Sequence, residues 1–288
     1  MELLTRHRHV SFPRRPLLMG ILNINDDSFS GDGKLDPKWA LARAREMAEA
    51  GADIIDVGGE SARTNRAAIS PQEELDRIGP FIEGFDSLWN DVRPRDAQQV
   101  FPPLLSLNTW RPEVAGPALA LGGDLLNDIS ALPDDQNARI CAETGAALLI
   151  MHSQGAPKVS HKHLQYEDIM AELHRFFAEK IALAEKAGVP RDSIILDPGI
   201  DFAKQAPDNL RIYRELESLN SFRRPILLPV SRKSVIGRVL EIKDPAERDH
   251  ATAACIVSGM LRGAAIFRVH NIEMAWRVIG SIHQLEAT

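Results

Sequence analysis

The chain has 288 residues, 44% hydrophobic and 26% charged, with a formal net charge of −6. That composition supplies a globular core and gives no electrostatic argument for a nucleic-acid or membrane partner. The length suits one α/β domain of about 250 residues, the two cysteines (Cys141 and Cys255) form no metal-ligand spacing, and no apolar stretch approaches the roughly 18 residues of a membrane span.

The first residues, MELLTRHRHVSFPRR, lack the apolar segment of a signal peptide, so a soluble, cytoplasmic protein is expected. Residues 1–16, with Arg6, Arg8, Arg14 and Arg15, read as a short solvated leader. Beyond them, strand-like apolar runs at 17–22, 53–57, 104–107, 124–126, 146–150, 194–196, 226–228 and 265–269 alternate with helical segments. The helices are expected at 37–50, 71–86, 113–121, 134–144, 166–187, 207–218, from Lys233, at 246–262 and at 272–285. Gly145, Gly188 and Gly263 follow helices as stop signals do. Eight strand–helix units in strict alternation point to a single parallel (β/α)8 TIM barrel spanning 1–288. An open doubly wound sheet is the alternative, though no GxGxxG follows the first strand.

Six apolar runs end abruptly in polar residues: Asn23, Asn108, Asn127, Asp197, Ser231-Arg232-Lys233 and Arg268-Val269-His270. In a parallel barrel all strand C-termini meet at one mouth, so the six should share a pocket. The segments 25–34, 58–69 and 153–164 are expected to loop over it, and 89–103 to connect elements at the opposite rim. A carboxylate such as Asp197, with Asn127 and Asn108, suits the paired N–H donors of an aminopyrimidinone edge. Lys233 offers a mobile cation, and Arg268 with His270 suits a phosphate or diphosphate. The Asn23 side-chain oxygen could hold a Mg2+ that keeps most of its water. Taken singly, these residues have plainer readings: Asp197 before Pro-Gly as a turn former, Asn127 as a helix cap, Lys233 as a helix start. Asp56 and Glu60 read as structural carboxylates, and His152, His161 and His163 as loop or core residues.

The segments MGILNINDDSF, GADIIDVGGESAR, LLNDIS, LDPGIDFAK, PVSRKSVIG and IFRVH, in order from about Leu18 to Ile272, together resemble the dihydropteroate synthases, pterin-binding TIM-barrel enzymes. The resemblance implies a transferase of folate biosynthesis. It would condense 6-hydroxymethyl-7,8-dihydropterin diphosphate with p-aminobenzoate, releasing diphosphate, with Mg2+ as cofactor. It implies Asn23 at the metal and diphosphate, Asn127, Asp197 and Lys233 at the pterin, and Arg268 and His270 at the anion. Arg63 would lie on the mobile second loop, and Phe202, Lys233 and Ser234 beside the p-aminobenzoate. A homodimer packed through the late helices is implied as well.

The chain departs from the family at several points. Asn108 stands where the family writes Asp, keeping shape and hydrogen bonding but losing a charge. At about 4 Å and an effective dielectric constant of ~20 that charge is worth about 4 kcal/mol, at the upper end about three decades in rate. Asn108→Asp is therefore expected to raise activity. Asn25-Asp26-Asp27, Gly31-Asp32-Gly33 and Ala62-Arg63-Thr64-Asn65 replace loop motifs of the family, Asp201 and Ala203 replace two glycines, Ser153 replaces Met, and Asn271 replaces Asp. These departures leave room for a pterin-binding paralogue with weak or absent synthase activity, or with another amine acceptor. A methyl-pterin methyltransferase is a third reading, but it has no evident need for Arg268 and His270.

Overall fold

The computed structural model describes residues 1–25, 34–62, 66–159 and 164–286. The N-terminal segment is not a solvated leader. Strands β1 (Glu2–Leu4) and β2 (His9–Ser11) pair as an antiparallel hairpin. Leu3 and Val10 are buried with the bottom layer of the barrel interior. Two apolar residues on three-residue strands are too few to show a period, so local sequence carries no signal of the hairpin.

The barrel strands are β3 (Leu17–Asn23), β4 (Ile54–Gly58), β5 (Leu104–Asn108), β6 (Leu125–Asp128), β7 (Ala147–Met151), β8 (Ile194–Asp197), β9 (Leu227–Pro229) and β10 (Ile266–Val269). All registered neighbours are parallel, in the order β8-β7-β6-β5-β4-β3-β10-β9. The ring closes through a parallel bridge between Leu196 and Ile226 and a 3.0 Å bond from Leu196 N–H to the Pro225 carbonyl. That closure makes it a (β/α)8 TIM barrel and removes the open-sheet alternative.

Around it lie α1 (Pro37–Glu49), α2 (Pro71–Phe85), α3 (Pro112–Leu121), α4 (Gln136–Thr144), α5 (Ile169–Lys186), α6 (Ala206–Glu215), α7 (Ser234–Val239), α8 (Asp249–Met260) and α9 (Ile272–Glu286). Asp36, Ser70 and Asp168 cap α1, α2 and α5 by accepting from first-turn N–H groups. Gly145, Gly188 and Gly263 have φ of 76°, 103° and 86°, the left-handed stop expected of them.

Alternation along each strand sorts the side chains. Leu18, Leu22, Ile55, Val57, Leu105 and Leu107 face the helices in one core. Leu17, Met19, Ile54, Leu104, Leu125 and Leu149 fill the barrel below the mouth. The segment 89–103 packs at the far rim, where Gln99 donates to the Ala48 and Ala52 carbonyls and Arg15 pairs with buried Asp53 at 2.9 Å.

Candidate active site

The C-terminal ends of the strands open on a cavity of about 590 Å³. Asn23, Asn108, Asn127, Asp197, Phe202, Lys233, Ser234, Arg268 and His270 all line it. The strand-end residues of the sequence reading thus share one pocket. Arg63, with His161 and His163, lies outside the described residues.

The floor is organised by a residue that reads in the sequence as a structural acid. Asp56, fully buried in β4, accepts from four side chains. Its Oδ1 takes Ser106 Oγ–H at 2.5 Å, and its Oδ2 takes Asn108 Nδ2 at 3.1 Å and Arg268 Nε at 2.7 Å. Asn127 Nδ2 donates to both oxygens, at 3.2 and 3.1 Å. Each partner sits on an interior-facing position of β5, β6 or β10, so barrel curvature brings them together. The carboxylate beside Asn127 and Asn108 is therefore Asp56. Its presence also amends the charge argument for Asn108: the amide stands against a carboxylate already in the floor. The signal in the sequence was a lone acid inside an otherwise apolar strand, IIDVG.

Asp197 ends β8 on the other side of the pocket and accepts from Gly199 N–H at 2.7 Å. Burial pushes its carboxyl up to about 6, against the pull of that N–H and of Lys233, Lys204 and Arg268. Gly199 holds φ 68°, and a Cβ there would stand 1.9 Å from the His152 carbonyl oxygen, so only glycine fits. Lys204, absent from the expected site, braces this turn. Its Nζ donates to the His152, Gly199 and Phe202 carbonyls at 3.2, 3.1 and 3.1 Å and lies 2.7 Å from His152 Nδ1. Burial brings Lys204 down to about 7, and burial with Lys204 brings His152 down to about 2. His152 is a neutral core residue, as expected. Lys233 donates to the Ile200 carbonyl at 2.9 Å, and its ammonium lies 5.3 Å from the Phe202 ring centre.

At the β10 end, Arg268 points from Asp56 into the pocket. His270 lies with Nδ1 2.8 Å from Ser231 Oγ, which accepts from the His270 backbone N–H. The hydroxyl proton then goes to Nδ1, and the tautomer assigned by this geometry carries its proton on Nε2. Burial, then Arg232, Arg268 and Lys233, lower His270 to about 3. The residue is a neutral donor, and the cation of this end is Arg268. Above the pocket, Glu60 joins two loops: it pairs with Arg111 and accepts from Lys158 at 2.9 Å, while Arg111 also holds Glu74 at 2.6 Å. Among the described residues, no group of three His, Cys, Asp or Glu side chains forms a metal cage.

The chain that builds this pocket is similar to known proteins over nearly its whole length. The family model described as pterin binding enzyme matches residues 19–270. The Escherichia coli (strain K12) dihydropteroate synthase is 37% identical over 274 residues, 95% of this chain and 92% of that protein. The Yersinia pestis dihydropteroate synthase, solved as a sulfonamide drug complex, superposes with a TM-score of 0.88 at 34% identity, covering 100% of both chains. The Thermus thermophilus dihydropteroate synthase superposes in its complex with 6HMPPP (TM-score 0.82, 33% identity, 99% of this chain and 100% of that one) and in its complex with 4-aminobenzoate (0.85, 32%, 99% and 100%). Matched nearly end to end in sequence and in fold, the chain belongs to the dihydropteroate synthase family of pterin-binding enzymes.

Proposed function

We infer that this pocket condenses 6-hydroxymethyl-7,8-dihydropterin diphosphate with p-aminobenzoate, a transferase step of folate biosynthesis. The observation that carries the reading is that one cavity gathers Asp197, Asn127 and Lys233 together with Arg268 and His270. The first set matches the donors and acceptors of a pterin edge, the second the diphosphate. The related proteins solved with 6HMPPP and with 4-aminobenzoate support both substrates.

In the reaction the aryl amine nitrogen attacks the pterin methylene carbon, the carbon–oxygen bond to diphosphate breaks, and the amine proton leaves with it. Asp197, ionised at neutral pH, accepts the two N–H groups of the aminopyrimidinone edge. Asp56 orients the Arg268 guanidinium from beneath, and Arg268 and the His270 N–H hold the departing diphosphate. Lys233, which keeps two N–H donors beyond its bond to the Ile200 carbonyl, would bind the ring heteroatoms. Positioning and fixed charge carry the chemistry, without a covalent enzyme intermediate.

The residues fit the proposed Mg2+. Asn23, at the pocket wall, would hold the ion through its neutral side-chain oxygen, which suits a hard cation that takes few protein ligands. When bound, the ion would draw charge off the diphosphate. A homodimer through the late helices is part of the proposal on the family resemblance alone. The buried free thiols Cys141 and Cys255 support a reducing, cytoplasmic setting. Among the described residues, no helix is long and apolar enough to cross a membrane.

Calorimetry with dihydropterin diphosphate, with and without Mg2+, followed by a product assay with p-aminobenzoate, tests the reading. Mg2+-dependent binding and formation of dihydropteroate are expected. Absence of heat and of competition by pterins would overturn it. Binding without product would favour the paralogue that uses another amine.

A further inference from the structure

Behind Asp197 stands a buried lysine whose bonds close a ring around that acid. The Asp197 carboxylate accepts from Gly199 N–H, and the Gly199 carbonyl accepts from Lys204 Nζ. The Asp197 carbonyl accepts from His152 N–H at 2.8 Å, and the His152 carbonyl also accepts from Lys204 Nζ. Side chain and backbone of Asp197 thus reach the same ammonium, each through one intervening residue. A Cβ on Gly199 would stand 3.2 Å from Nζ, so the amine is packed against the turn that carries the acid.

This nest asks for a cation. Around Nζ stand three carbonyl oxygens and His152 Nδ1, four acceptors for the three N–H groups of an ammonium. His152 Nε2 lies 3.8 Å from Glu172 Oε1, which favours the ring proton on that nitrogen and leaves Nδ1 to accept. Burial opposes the charge on Lys204; among the charges that face it, Asp197 supports it most, then Asp208 of α6 and Asp201, with Lys233 against. Burial opposes the charge on Asp197 too, and Gly199 N–H, Lys233, Lys204 and Arg268 support it. Lys233 and Arg268 also face the ligand in the proposed reaction. Lys204 has its N–H groups committed inside the protein, so its charge stays with Asp197 whether or not a pterin is seated.

Resting on the reading of Asp197 as the acceptor of the pterin edge, we propose that Lys204 is a positioning residue for that acid: from inside the turn its ammonium keeps the Asp197 carboxylate charged, and so extends pterin binding to lower pH. It acts through Asp197 and takes no part in bond making.

The test uses Lys204→Gln, which keeps N–H donors for the carbonyls without the charge, and Lys204→Met, which removes both, in the full-length protein. The Asp197 carboxyl is followed by its NMR resonance against pH without ligand, and calorimetry gives the affinity for dihydropterin diphosphate with Mg2+. The Asp197 midpoint is expected to rise by about one pH unit in both variants. Kd relative to the wild type should then rise about fivefold at about pH 6 and less than about twofold at about pH 8.5, where the acid is charged in either case. Titration of the ligand itself cancels in that ratio. A brace without an electrostatic role would give one ratio at both pH values and an unmoved midpoint. Asp197→Asn supplies the converse without altering Lys204: coupling is mutual, so the Lys204 ammonium, followed by its own resonance, should titrate about one unit lower. Midpoints that move less than about 0.3 unit, for Asp197 in the lysine variants and for Lys204 in Asp197→Asn, would overturn the proposal while leaving wild-type pterin binding intact. Absence of dihydropterin diphosphate binding in the wild type would instead overturn the synthase reading and the proposal with it.

Discussion

Asp56 changes what a substitution at position 108 should do. Asn108→Asp places a second carboxylate at hydrogen-bonding distance from the first, and two acids that close share a proton, with the second pKa raised. The gain expected from the extra charge should therefore appear only when both are ionised: kcat is expected to rise several-fold at about pH 8.5 and to stay level or fall at about pH 6. A ratio of variant to wild-type rates that is flat across pH would contradict this. Asp197 gives a second test. Its folded pKa of about 6 lies above the ordinary value of 3.8, so the folded state binds this proton more tightly than the unfolded chain. Its contribution to stability is thus favourable in acid and lost as pH rises through about 6. On the proposed role of Asp197, pterin binding runs the other way, because the edge donors pair with the carboxylate, and affinity should fall about tenfold per unit below that pH. Asp197→Asn should raise Tm at neutral pH yet abolish pterin binding, measured by calorimetry; a variant that still binds would remove Asp197 from the pterin site. The strand-end residues were legible because each interrupts an apolar run at its last position. Asp56 was not, because it sits one turn of the pleat deeper, where an acid in a strand is as easily a structural one.

The turn after β8 carries much of the site in a few residues. Gly199 admits no side chain, Lys204 satisfies three carbonyls of the turn and its neighbour, and Asp201 reaches the start of α7. Gly199→Ala should destabilise the fold by about 3 kcal/mol or more, because both the positive φ and the His152 carbonyl resist it. Denaturant titration checks this, and a loss under about 1 kcal/mol would show that the turn can move aside. Regular elements were readable from period and breakers: α1, α2 and α9 begin at the expected residues, and strand limits agree to within a residue or two. Cross-loop bonds such as Lys158 to Glu60 or Asp201 to Ser234 were not, because nothing in local sequence spacing signals a contact made by closing the barrel.

Over the whole molecule the two ends of the barrel have different duties. The mouth is polar and holds the site; the bottom is apolar and is sealed by the β1–β2 hairpin. Leu3→Ala, which empties a fully buried position there, should cost about 2–5 kcal/mol. Pterin affinity of the folded protein should be unaffected, and scanning calorimetry with and without ligand separates the two. A large loss of affinity in protein that remains folded would mean the hairpin shapes the site from below. The ring itself is zipped unevenly. Every other neighbouring pair of strands is registered over three or more residues, whereas β8 and β9 share a single bridge at Leu196. The Asp201–Ser234 and Lys233–Ile200 bonds span that same seam at its upper edge. With so few ties at that joint, amide protons of β8 and β9 beside it are expected to exchange faster than those of the fully registered strands, and a ligand seated in the mouth to slow them most.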